Sequence, residues 1–105
     1  GLDSFDYANV MGIGKNLDGM FACTPKNARK MVECFRNKDF EGGRNYLDRI
    51  LLLRDTMIKY RLMSCFTYCM NLLGLEGSFH RDYSLPVSDE GKTKIEEVMR
   101  MIGEL

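Results

Sequence analysis

A four-residue apolar run, Met20-Phe21-Ala22-Cys23, limits the possible folds more than any other feature of this sequence. Ahead of it, Gly14-Lys15-Asn16-Leu17-Asp18-Gly19 carries turn chemistry, glycines and short polar side chains that tolerate left-handed backbone. Behind it, Thr24-Pro25 starts a helix, with threonine as the cap and proline at the first helical position. A run this short suits a buried strand. One strand makes no sheet, so its neighbours are expected in a preceding segment or in another chain. The 105 residues therefore read as the end of a larger protein.

The rest of the pattern is helical. Residues 5–13 form a short helix with Phe5, Ala8, Asn9, Val10 and Ile13 on a partly apolar face, weakened at its end by Gly12 and Gly14. After Pro25, Ala28, Met31, Val32 and Phe35 make one apolar stripe. Asn37-Lys38-Asp39 interrupts the pattern before a longer helix over 41–60, with Leu47, Ile50, Leu51, Arg54, Met57 and Ile58 along one side. Leu52 and Leu53 lie off that stripe, so this helix should be covered from two directions. A third helix spans 61–73 and stops at Gly74. Residues 76–87 show no period and read as an ordered loop. Ser88 caps the last helix, whose stripe is Ile95, Val98, Met99 and Ile102, with Asp89 and Glu90 in its first turn.

The expected fold class is mainly α: four to five helices with at most one short strand. One domain is the ceiling at this length, and 45% hydrophobic with 29% charged residues is ordinary globular composition. Fifteen basic residues balance fifteen acidic ones, which gives no footprint for nucleic acid. The apolar runs, such as residues 50–53, are far shorter than a bilayer requires, so no membrane partner is expected and the cytoplasm is the expected location.

The four cysteines admit two disulfides or a metal site. No C-x-x-C knuckle occurs, however, and the sole histidine, His80, falls in the loop. Cys65 and Cys69, four apart, share a helical face. They read best as buried, reduced thiols packing like small hydrophobes, and no metal or cofactor is expected. His80-Arg81-Asp82 invites an acid–base reading, but a histidine beside an arginine in a connecting loop more often anchors that loop.

Several stretches, in order, carry a resemblance: residues 17–24 (LDGMFACT), residues 31–40 (MVECFRNKDF), Leu72-Leu73-Gly74-Leu75, and Leu85-Pro86-Val87-Ser88. Together they resemble the C-terminal part of the N-acetylneuraminate lyase and dihydrodipicolinate synthase family. The resemblance implies the last βα unit of a (β/α)8 barrel in residues 1–37 and a helical appendage in 38–105. It makes Met20 to Cys23 barrel strand 8. It also implies a parent enzyme that joins or splits pyruvate, or another 2-oxo acid, and an aldehyde through a lysine Schiff base, and that assembles as a homo-oligomer.

Carried over residue by residue, the resemblance nominates three substrate-binding positions. Asp6 matches the carboxylate after strand 7 by spacing, although Gly1-Leu2-Asp3 keeps the family's Gly-x-Asp letters. Cys23 stands where lyases of the family place a serine, and cysteine is a poorer hydrogen-bond partner. Thr24 follows it at the strand tip, where such barrels carry their chemistry. The Schiff-base lysine of the family precedes Gly1. Lys15, Lys26, Lys30, Lys38, Lys59, Lys92 and Lys94 fall in turns or on polar faces, which offer none of the desolvation that activates such a lysine. No catalytic residue is assigned within the chain. Phe21, Phe35, Leu51 and Met70 are expected to face the barrel. The alternative is an independent helical module for protein association. Which aldehyde the parent takes is not encoded here.

Overall fold

The structure, a computed structural model, describes residues 1–79 and 85–105; His80, Arg81 and Asp82 lie outside the described residues. A 3-10 turn over Leu2–Ser4 leads into α1 (Phe5–Val10), α2 (Met20–Cys23), α3 (Pro25–Arg36), α4 (Phe40–Lys59), α5 (Leu62–Leu72) and α6 (Asp89–Met101). The chain is mainly helical, as its periodicity requires, and no strand occurs among the described residues.

Met20–Cys23 is a helical turn, not the expected strand. The reason is local. A strand needs a neighbour for its backbone groups, and none stands beside it among the described residues. The groups are paired within the segment instead. Asp18 Oδ1 accepts from the Met20 N–H at 2.9 Å, and the Thr24 N–H reaches Met20 O at 3.0 Å. The first helix is also shorter than expected, ending at Val10. Val10 and Ile13 are exposed, and only Phe5 of the expected face is buried.

α4 is the central element and packs against α1, α3, α5 and α6. Its buried side comprises Gly43, Leu47, Ile50, Leu53 and Met57. This face is rotated from the expected stripe: Leu53 is in the core, while Ile58 stands exposed and Arg54 half-buried. Asp39 caps the helix, its carboxylate accepting from the Gly42 N–H at 3.0 Å. Gly43 is required by packing, because a Cβ there would fall 2.6 Å from the Phe35 ring. That close approach lets α3 lie against α4. Phe35 sits within 6.4 Å of the Phe40 ring and 6.0 Å of Phe5, and Phe5 meets Phe21 edge-on at 5.7 Å. These four rings join α1, α2, α3 and α4.

The stripes of α3 and α6 are buried as expected, Met31 and Phe35 on one and Ile95, Val98 and Met99 on the other. Phe35 is thus interior, and Phe21, Leu51 and Met70 are half-buried against the same core. One continuous core takes residues from Leu2 to Ile102. It draws on both sides of residue 37.

The end of α6 is tied to the start of α3 by a contact with no local sequence signal. Thr24 does not cap α3; its hydroxyl donates back to Met20 O at 2.8 Å. Glu104 does the work instead. α6 ends in a Schellman turn in which Gly103 adopts φ +83°, a value glycine accepts without steric cost, and the Glu104 N–H bonds to Met99 O at 2.9 Å. This reversal sends the Glu104 side chain to the start of α3. Its carboxylate accepts from the backbone N–H groups of Lys26 (3.2 Å) and Asn27 (2.8 Å) and from Asn27 Nδ2 (2.8 Å). The residue is 2% exposed. Replacing Glu104 by Ala strands three donors at a buried helix end, and we expect a loss of about 2 kcal/mol. Urea unfolding checks this: a lowered midpoint for Glu104→Ala, a smaller drop for Glu104→Gln, which keeps one acceptor oxygen.

Candidate functional site

Of the three positions nominated from the sequence, Asp6 lies on α1, Cys23 ends α2 and Thr24 follows it. Asp6 begins α1 and is engaged from α4: Arg44 Nη1 lies 3.2 Å from Asp6 Oδ2, and the same arginine reaches Asp48 at 2.9 Å. The other Asp6 oxygen accepts from the Tyr7 N–H at 2.8 Å. The competing position, Asp3, is paired in the same manner. Arg54 Nη1 donates to it at 2.8 Å, and this hydrogen bond holds the Asp3 carboxyl below the usual carboxylate range. Both acids therefore serve as anchors between the first turns of the chain and α4. Because they are largely solvated, such pairs contribute little each.

Cys23 and Thr24 are wholly buried. The Thr24 hydroxyl is committed to Met20 O, and Cys23 is buried on α2, which packs against α5. Neither side chain faces solvent, so neither meets a ligand in this arrangement. None of the lysines is buried; Lys92, half-buried, lies 5.6 Å from the centre of the Tyr68 ring.

A groove of about 450 Å³ lies beside α2 and α3. Phe21, Ala28, Met31 and Val32 give it an apolar floor, and Arg29, Glu33 and Arg36 stand at its edge. Arg29 and Glu33 bridge each other at 3.4 Å. The groove holds no nucleophile and no unpaired acid, so its chemistry is that of a contact surface. Helical spacing shows Ala28, Val32 and Arg36 on one side of α3, but the part played by Phe21 depends on α2 being helical and was not legible.

The notable chemical cluster is sulfur. Cys23, Cys65 and Cys69 are each fully buried where α2 meets α5, while Cys34 on α3 is half-buried. Cys65 donates to Tyr60 O at 3.1 Å. Burial, and secondarily the neighbouring Cys23, pushes the Cys65 thiol up to about 11. The hydrogen bond with Cys23, then burial, pushes Cys69 higher still. All four thiols are free, and no group of three metal-ligating side chains occurs among the described residues.

No helix among the described residues is long and apolar enough to cross a membrane. Compared with known proteins, the chain matches no family model, no curated protein and no solved structure.

The thiols set a pH dependence. Below the ordinary thiol value of 9.0, both folded and unfolded chains keep the Cys65 proton and stability is complete. Above it the unfolded chain releases the proton while the folded chain holds it up to about 11. Stability must therefore fall as pH rises through that interval, by about 1.4 kcal/mol per pH unit for each such thiol. Urea midpoints measured across the interval test this; a midpoint constant up to the top of it contradicts the buried thiols.

Proposed function

We propose that the chain is the C-terminal segment of a pyruvate-dependent aldolase or lyase, whose Schiff-base lysine is supplied by a preceding barrel and which is catalytically incomplete without it. The observation that carries this reading is where the apolar surface lies. Tyr7, Val10, Met11, Ile13 and Leu17 are each more than half exposed, and Leu17 is wholly so. No other stretch of that length among the described residues exposes as many large apolar side chains. They occupy the segment that the family resemblance assigns to the end of the barrel, where a sheet and its helices would cover them. The lysine is assigned to the barrel because no lysine of this chain is buried, and an amine in water stays protonated and unreactive. In the parent, Met20–Cys23 would exchange its local hydrogen bonds for ladder bonds to neighbouring strands. A parent homo-oligomer in the cytoplasm belongs to the same reading.

A second reading is favoured by the helical turn at Met20–Cys23, which is satisfied without any sheet. In it the chain is a helical association module that meets a protein partner through the same apolar residues.

One experiment separates the two. The natural protein is captured with an antibody against the α6 segment, treated with pyruvate and cyanoborohydride, and mapped by mass spectrometry. The enzyme reading expects one reduced pyruvate adduct on a lysine ahead of this sequence. No adduct, or one on a lysine of this chain, contradicts it.

A further inference from the structure

We propose that the break between α4 and α5 is a hinge, and that the partner it serves is a second copy of this chain. In this second form α4 and α5 run on as one helix over residues 40–72. Residues 62–105 of each copy then close on residues 1–59 of the other. The inference depends on neither functional reading above.

The break is imposed by packing and not by sequence. Neither glycine nor proline occurs between Gly43 and Gly74, so nothing in the chain itself stops the helix at Lys59. Arg61, which turns the chain, sits at φ 70° and ψ 82°. That is the left-handed region, where a residue with a Cβ is strained and which glycine enters without steric cost. α5 also starts with no side-chain cap among the described residues, although the first amides of a helix need partners from outside it. Across the break, the Met57 and Tyr60 carbonyls are covered by the Cys65 thiol, at 3.6 and 3.1 Å, and a thiol is a weak donor. In an unbroken helix these groups find ordinary partners. The Arg61 N–H reaches Met57 O, Leu62 reaches Ile58, Met63 reaches Lys59 and Ser64 reaches Tyr60.

The strained turn persists because of what it lets the rest of the chain reach. It brings α5 onto α2 and α6 onto α4, and it carries Glu104 to the amides of Lys26 and Asn27. None of these contacts requires both sides to belong to one copy. In the exchanged pair each of them re-forms, while both left-handed residues become helical. Ile58 and Met63, on either side of the break and each more than half exposed, add apolar surface at the hinge. Against this stands the freedom lost when two molecules join, so the closed monomer holds in dilute solution and the pair forms at high concentration. The pair carries two copies of the exposed segment from Tyr7 to Leu17, so a partner that docks there meets a bivalent particle.

The test refolds the chain from urea at low and at high concentration and sizes it by light scattering, alone and with Arg61→Gly or Arg61→Ala. The expected result is a monomer at low concentration and a dimer at high. Glycine relieves the closed hinge and weakens the open helix, so Arg61→Gly should raise the dimer dissociation constant by about 100-fold over the two hinges. Alanine stays strained when closed and suits the open helix, so Arg61→Ala should keep the dimer. In a dimer of one isotope-labelled and one unlabelled copy, nuclear Overhauser contacts should link α4 of one copy to α6 of the other. A chain that stays monomeric at every concentration overturns the proposal. So does a dimer that Arg61→Gly leaves unchanged, that Arg61→Ala abolishes, or whose contacts between copies come only from surface residues.

Discussion

The buried Glu104 carboxylate is the interaction on which the arrangement of helices depends. The first N–H groups of a helix have no partner within it, and they carry the positive end of its dipole. At α3 that end is inside the protein, and proline occupies its first position while the threonine before it is turned away. An acidic side chain from the far end of the chain fills the vacancy and brings Asn27 into register through Nδ2, which also donates to Ile102 O at 2.9 Å. Lys26 Nζ adds a bond to Glu104 O at 3.1 Å. The contact places the end of α6 against the start of α3, and α4 packs against both. With that geometry fixed, the close approach at Gly43 and the four aromatic rings follow.

This closure explains why the exposed apolar surface lies where it does. α3, α4 and α6 satisfy one another, and α5 completes the core through Cys65 and Cys69. The first turns of the chain are held more lightly, by Leu2 and Phe5 in the core and by two ion pairs from Arg44 and Arg54. Between them and α2 runs a stretch with no regular structure, whose apolar side chains have no covering layer. Order in the core and unused apolar surface at its margin are two consequences of one packing solution. The sulfur cluster sits at the boundary between these regions.

Much of the fold was legible from the sequence. The stripes Met31–Phe35 and Ile95–Ile102, the Ser88 cap and the stop at Gly74 follow from periodicity and capping chemistry, and each holds in three dimensions. The face of α4 was harder because Leu51, Leu52 and Leu53 are consecutive, so several registers look equally apolar. Only the neighbours select Leu53 for the interior. The run Met20–Cys23 was misassigned for a related reason. Four apolar residues have no period of their own, and the choice between turn and strand passes to whatever can accept their backbone hydrogen bonds. Glu104 was invisible because its partners lie 77 and 78 residues away. Of the nominated site residues, Asp6 is an anchor to Arg44, and Cys23 and Thr24 are interior.

Amide hydrogen exchange at Lys26 and Asn27 tests the central claim most directly. Helix-start amides normally exchange early, since no carbonyl of their own helix covers them. If the Glu104 carboxylate binds them inside the fold, both exchange as slowly as the amide of Leu53 in the middle of α4. Exchange as rapid as that of the α1 amides would mean that the end of α6 is not joined to the start of α3 and that the helices are held in place by something else.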